Sequence, residues 1–238
     1  MNRKSTLKEI EERFDQDVER FSNLETGQAT TLDATFNMTL FAEGIVAAYP
    51  KLASVLDIGC GAGNYDVKLL TYIKPLDITL VDLSRPMLDK ARERVEGLNE
   101  GGKVTCLQGD FRNIDIPEES FDAIIATAVL HHLREDEDWK QAFTKFYRLL
   151  RKGGSIWIFD LVEQVTPELQ QLIYKEKYGD YLTSLRNESY RDLVFDYIEK
   201  EDSPRSLMFQ IDLLRQVGFS KVDILHKNLC FGSFVAFK

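Results

Sequence analysis

The sequence predicts an α/β protein on an open sheet of about seven mostly parallel strands, one of them antiparallel, with helices on both faces. Three observations carry this. From residue 54 onward, short apolar runs alternate with segments of helical apolar spacing, the mark of right-handed βαβ crossovers. The runs are near-continuously apolar, as strands covered on both faces are. The last two runs are joined by only Lys227 to Cys230, too short a link for anything but an antiparallel pair.

Residues 1–50 read as a helical cap. Leu7, Ile10, Phe14, Val18 and Phe21 recur three and four apart, a single apolar stripe, and a second helix over 32–48 stops before Pro50. The core of 51–162 follows. Ser54 to Ile58 is the first strand, 64–73 a helix, and Asp77 to Asp82 the second strand. Ser84 caps the next helix, with Pro86 in its first turn. Lys103 to Leu107 and Phe121 to Thr127 are the third and fourth strands. A helix over 137–150 is expected to end at a glycine cap, Gly153-Gly154, before a fifth strand from Ser155 to Asp160. Residues 163–202 break the rhythm. This insert has Pro167, many charges and six aromatics, and reads as two short helices over the sheet edge. In 203–238 a helix from Ser206 ends at Gly218, and two strands, Lys221 to His226 and Phe231 to Phe237, close the chain as one domain.

The chain has 238 residues, with 44% hydrophobic and 29% charged, an ordinary globular composition. Thirty Lys and Arg against 39 Asp and Glu give a net charge of −9, which does not point to a nucleic-acid partner. The segment Met1 to Glu12 lacks the apolar stretch of a secretory signal, and no run approaches the ~20 residues of a membrane helix. Three scattered cysteines suit a reduced, cytoplasmic chain, and no Cys/His spacing matches a metal site.

An open parallel sheet binds ligands beyond the carboxyl ends of its strands. Here the first strand runs into Asp57-Ile58-Gly59-Cys60-Gly61-Ala62-Gly63, a turn that lets backbone approach a ligand at a helix N-terminus. The dinucleotide pattern G-x-G-x-x-G is missing, because the sixth position from Gly59 or Gly61 is Asn64 or Asp66. An acid before the glycines favours a cation-bearing ligand over a pyrophosphate. Asp82 ends the second strand, 23 residues after Gly59, where a carboxylate accepts both hydroxyls of a ribose. Gly109-Asp110-Phe111 follows the third strand and offers a carboxylate to an exocyclic amine and a ring to a purine.

With these motifs in order, the stretch from Val55 to Asp160 resembles the class I S-adenosylmethionine (SAM) methyltransferases. Val-Leu-Asp-Ile-Gly-Cys-Gly-Ala-Gly resembles their glycine-rich loop, Val-Asp-Leu-Ser-Arg-Pro-Met-Leu their ribose-binding turn, and Gly-Asp-Phe their adenine-edge motif. Phe121-Asp122-Ala123-Ile124 with Leu130-His131-His132-Leu133, and Leu149-Leu150-Arg151-Lys152-Gly153-Gly154, resemble their fourth strand and the turn before the fifth. The resemblance implies a Rossmann-like class I methyltransferase fold and SAM as cofactor. It implies that Asp57, Gly59, Cys60, Gly61 and Gly63 cradle the methionine end, and that Asp82 holds the ribose with Leu83 and Met87 beside the adenine. It further implies that Asp110 and Phe111 contact the adenine, with Thr127 and Ala128 as the floor near the sulfonium.

His131 and His132 are the candidate proton acceptors, with packing after the fourth strand as the other reading. Methyl transfer needs alignment more than a base, so no metal is expected. The C-terminal Leu229 to Lys238 is similar to the end of the tRNA wobble-uridine carboxymethyltransferase family, which uses a carboxylated SAM, although no arginine falls on a matching position. The expected activity is methyl transfer to a small-molecule acceptor. The rivals are a tRNA-directed or carboxy-SAM-using transferase and a non-catalytic SAM-binding module. Residues 1–50 either cap the site or form a homodimer contact.

Overall fold

The computed structural model describes residues 3–23 and 28–238. Two short helices, α1 (Leu7–Gln16) and α2 (Val18–Ser22), lead in. Thr6 and Glu9 form a reciprocal capping box at the start of α1. Helix α3 (Ala34–Ala48) precedes β1 (Ser54–Ile58), α4 (Asn64–Leu70), β2 (Asp77–Asp82), α5 (Arg85–Leu98) and β3 (Val104–Gln108). After β4 (Phe121–Thr127) come a single 3-10 turn, Leu130–His132, then α6 (Asp136–Leu149) and β5 (Leu150–Leu161). The insert is α7 (Pro167–Leu169), a π-helical stretch Gln170–Tyr178, α8 (Gly179–Leu185) and α9 (Glu188–Glu201). Helix α10 (Leu207–Val217), β6 (Lys221–Asn228) and β7 (Phe231–Phe237) complete the chain.

The strand order is β3-β2-β1-β4-β5-β7-β6. All pairs are parallel except those of β7, which runs antiparallel to both β5 and β6. All five residues of β1 are buried, so its sequence has no polar alternation to display. Along β5, Trp157 and Phe159 pack on the face shared with α3, α4 and the insert, whereas Ile156 and Ile158 face the layer of α6 and α10.

One expectation fails. The pair Gly153-Gly154 does not cap α6. The helix ends at Leu149 and Leu150 is already extended (φ −74°, ψ 139°). The glycines lie inside β5, which uses the positions from Leu150 to Ser155 while β4 advances only from Phe121 to Ala123. Gly153 takes φ +79° in this bulge, and a Cβ on Gly154 would sit 3.0 Å from the carbonyls of Arg151 and Asp122. The glycines therefore serve the sheet. The insert likewise departs from two short helices, since α7, the π stretch and α8 run on as one irregular helix. Its Tyr178 packs on Phe231 at the head of β7, one strand in from the edge. Among the described residues, no helix is long and apolar enough to cross a membrane.

Candidate cofactor cleft and acceptor pocket

The chain leaves β1 for β2 and β3 on one side, then returns past β1 to β4 on the other. The gap opened beyond the carboxyl ends of β1 and β4 is where such sheets bind ligands. Gly59 and Gly61 reach it with φ +66° and +50°, values that favour glycine. A Cβ on Gly59 would strike Val129 Cγ2 at 2.5 Å. A Cβ on Gly61 would meet nothing within 4 Å, so its open face is turned to the cleft.

Asp82 ties this loop to the end of β2. Its Oδ2 accepts from Gly61 N at 2.8 Å and its Oδ1 from Ser84 N at 2.9 Å. Burial pushes its carboxyl above the usual range, against those backbone donors. Each oxygen keeps a further lone pair for a sugar hydroxyl. Leu83 and the buried Met87 continue the wall. On the opposite wall, Phe111 lines the cleft and stacks its ring on Phe146 at 5.5 Å. Asp110 lines the cleft too, but Arg112 forks onto both of its oxygens at 2.7–3.0 Å and also reaches Asp138. An exocyclic amine would share Asp110 with that guanidinium.

Of the fourteen residues singled out from sequence, Gly59, Cys60, Gly61, Asp82, Leu83, Met87, Asp110, Phe111, Thr127, Ala128 and His132 border this one cleft. Gly63, Asp57 and His131 do not. Gly63 takes φ +74° at the start of α4 and packs on Ala91 and Val95 of α5. Asp57 lies fully buried under the loop, facing the equally buried Asp66 of α4. Burial lifts Asp66 to about 6. Burial and the Asp66 charge together push Asp57 well above the carboxylate range. Cys60 is buried and its thiol is pushed up, so it acts as a small packing residue and not as a nucleophile. His131 faces a second, adjoining pocket.

Leu7, Ile10, Phe14 and Phe21 of α1 and α2, four residues of the apolar stripe, lie across the cleft, so of the two roles open to residues 1–50 the geometry here is that of a cap. Polar contacts fasten them: Ser84 Oγ donates to Asp15 at 2.6 Å, Asn64 Nδ2 to the Phe21 carbonyl at 2.8 Å, and Arg13 grips Glu201 of α9 through two nitrogens. The cavity beneath is about 120 Å³, well short of the ~300–1,000 Å³ of typical ligand sites. These helices must shift for an adenosyl ligand to enter. Tyr65 also borders the cleft, and its buried hydroxyl has no hydrogen-bond partner among the described residues.

The second pocket meets the first at Phe14, Phe21, Gln28, Ala128 and His132, which border both. Tyr178, Tyr197 and Phe231 give it aromatic walls. Asp160, buried at the end of β5, accepts from Leu130 N at 2.8 Å and His131 N at 3.2 Å, and its other oxygen meets His131 Nδ1. Burial opposes charge on His131, but Asp160 and Asp202 overcome it and lift its pKa to about 9. In this state His131 already holds its proton and is no ready base. Asp202 is likewise buried, yet the imidazoles keep its carboxyl below the usual range.

Fold and cleft together define a Rossmann-like α/β protein with a cleft beyond the carboxyl ends of β1 and β4. A family profile described as a methyltransferase domain matches residues 55–154. An uncharacterized methyltransferase of Anoxybacillus flavithermus is 32% identical over 142 residues, covering 60% of this chain and 58% of that protein. The malonyl-[acyl-carrier protein] O-methyltransferase 1 of Ilyobacter polytropus is 26% identical over 206 residues, 81% of this chain and 72% of that one. The crystal structure of a SAM-dependent methyltransferase from Methanococcus maripaludis shares the fold, with a TM-score of 0.62 at 19% identity over 99% of this chain and 95% of that one. The central segment of this chain is thus similar to methyltransferase domains, the chain spans less than two thirds of the length of the first of these relatives, and the solved structure shows the same fold.

Proposed function

We propose that this protein transfers a methyl group from SAM to a small or medium-sized acceptor in the cytoplasm. The observation that carries this reading is the junction of two pockets at Ala128 and His132. The first has the donors and acceptors an adenosyl amino acid needs: an open Gly61 face, Asp82 for a diol, an aromatic wall at Phe111, and the unpartnered Tyr65 hydroxyl for a carboxylate. The second gives an acceptor aromatic walls next to the Thr127-Ala128 floor of the first, which both pockets meet at Ala128. A module that only bound SAM would have no use for it.

When bound, SAM supplies a methyl carbon already activated by its sulfonium. The chain has to hold an acceptor in line with that carbon and keep water out. Helices α1 and α2 supply the cover, and Ala128, held at φ +50° by its N–H bond to the Phe159 carbonyl, fixes the floor between the pockets. Within the cofactor cleft the one arginine, Arg112, is engaged by Asp110 and Asp138, which favours plain SAM over a carboxylated form. The net charge of −9 favours a small acceptor over RNA, and three free cysteines suit a reducing compartment.

Calorimetric titration with SAM and with S-adenosylhomocysteine tests the reading. Binding of both is expected, and Asp82→Ala should weaken it by about 10²–10⁴-fold, because two hydrogen bonds to a charged acceptor are each worth about 1.5–3 kcal/mol. If neither ligand binds the intact chain, the proposal is wrong.

A further inference from the structure

The wall of the acceptor pocket carries a constellation that methyl transfer does not require. His132 Nδ1 lies 3.1 Å from Asp202 Oδ1, His131 Nε2 lies 3.7 Å from the same oxygen, and the three atoms all fall within 4.8 Å of one another. We propose that these three atoms bind a divalent first-row metal ion, taken up as Zn²⁺, with an open position facing an oxygen of the acceptor. The role toward the acceptor rests on the methyl-transfer reading, whereas the metal site stands without it.

Four features argue for an ion. The first is unmet bonding. Asp202 is 6% exposed, and its Oδ1 and the His132 Nδ1 are both buried and, among the described residues, without a hydrogen-bond partner, although only 3.1 Å apart. They are close but not aligned for a shared proton, as two ligands of one ion are. The second is spacing. Tetrahedral bonds of about 2.0–2.1 Å put neighbouring ligand atoms roughly 3.3–3.4 Å apart, and the distances of 3.1 and 3.7 Å bracket that edge.

The third is the support behind His131. Metal-binding imidazoles commonly donate their other N–H to a carboxylate, which fixes ring and tautomer. Asp160 does this for His131 Nδ1, and is itself pinned by the backbone N–H groups of Leu130, His131 and Leu161. His131 Nε2 is thereby aimed at Asp202. The fourth is charge. Asp202 and Asp160 together offset a dication, while two imidazoles, His131 giving up its Nε2 proton to solvent as the ion binds, and one carboxylate suit zinc and its neighbours better than magnesium or calcium. None of the nearby cations makes a side-chain bond to the Asp202 carboxylate among the described residues: Arg13 pairs with Glu201, Lys4 bonds the Asp202 carbonyl and Arg134 the Ser5 carbonyl. The open side of the site gives onto the pocket walled by Tyr178 and Tyr197.

The test uses the intact chain, stripped with a chelator and titrated with Zn²⁺ by calorimetry, with Co²⁺ absorption as the reporter of coordination. One site per chain is expected. His132→Ala and Asp202→Asn should each weaken it tenfold or more. Asp160→Asn should weaken it by about 10–100-fold although Asp160 does not touch the ion. His226→Ala, the one histidine outside the cluster, should leave binding unchanged. Melting curves and SAM affinity accompany every variant. Asp202→Asn that folds and binds SAM but loses Zn²⁺ supports the site, and if that variant does not fold, His132→Gln is read in its place. No Zn²⁺ binding by the parent chain, or binding that persists unchanged in both His132→Ala and Asp202→Asn, overturns it. A parent chain that binds Zn²⁺ but not SAM would refute the methyl-transfer reading and leave the metal site intact.

Discussion

Replacing Asp66 with Asn should make the protein more stable, and only above the acid range. Asp66 and Asp57 are both fully buried beneath the glycine loop, and neither Asp66 oxygen has a hydrogen-bond partner among the described residues. Burial raises Asp66 from 3.8 to about 6. The folded state therefore binds this proton more tightly than the unfolded chain does. Below about pH 4 both states are protonated and the group costs nothing. As pH rises from about 4 to 6 the unfolded state ionises first, stability falls, and above 6 the loss is constant. At 1.36 kcal/mol per pKa unit, a rise of roughly two units amounts to about 3 kcal/mol. Asn cannot ionise, and its amide can donate to Asp57 Oδ1, which has no partner. Urea unfolding of parent and variant at fixed m-value should therefore give a difference of about 3 kcal/mol at pH 8 that vanishes near pH 4. In a domain of this size, that corresponds to roughly 6–12 °C in Tm. A difference that is independent of pH, or a variant less stable at pH 8, refutes the argument.

Four further outcomes follow from the same geometry. Gly61→Ala places a Cβ in open cleft space at φ +50°, so melting should fall by only about 1–2 kcal/mol while calorimetry shows SAM binding sharply weakened. Gly59→Ala drives a Cβ into Val129 at 2.5 Å, so both stability and binding should fall, and equal behaviour of the two variants would contradict the assigned loop geometry. Arg13→Ala leaves Glu201 buried without its partner, which should cost about 3–5 kcal/mol and speed proteolysis of the N-terminal helices, read by mass spectrometry of the first cleavage products. Arg112→Ala frees both Asp110 oxygens, and SAM should bind no more weakly than before if Asp110 is the adenine-amine acceptor.

The sheet was legible because its strands are uninterrupted apolar runs and its turns carry glycines at forced positions, as at Gly59 and Gly218. The reading failed where two physical causes leave the same letters. Gly153-Gly154 after a helical run spells a cap, but the same pair spells a bulge, and the choice is made by pairing with β4, which is not local. The π-helical stretch over Gln170–Tyr178 left no period to find. In the site, Asp57, Gly59, Gly61, Asp82 and Asp110 stood out by their places at strand ends, whereas Leu83, Met87, Thr127 and Ala128 came only with the family resemblance. Glu201, Asp202 and Phe14 were reached as site residues by neither route, since Asp202 meets His132 from 70 positions away and nothing in either neighbourhood announces the other.

This division has a consequence for specificity. The family match spans residues 55–154, and the cofactor cleft draws on strand ends within that span, with α1, α2 and Gln28 as the cover. The acceptor pocket draws instead on Arg13, Phe14, Arg20 and Phe21 before it and on Leu161, Tyr178, Tyr197, Ile198, Asp202 and Phe231 after it, and takes from the matched span only Ala128, His131 and His132. Cofactor chemistry is thus inherited with the sheet, while acceptor choice rests on segments free to vary without disturbing the strands. Both outer segments also meet each other directly, through Arg13 and Glu201, so any motion of α1 that admits the cofactor is transmitted to α9 and to Asp202 beside its end. Under the proposed function, loosening the Arg13–Glu201 pair should therefore change SAM and acceptor affinity together, and Arg13→Ala read by calorimetry with each ligand checks it.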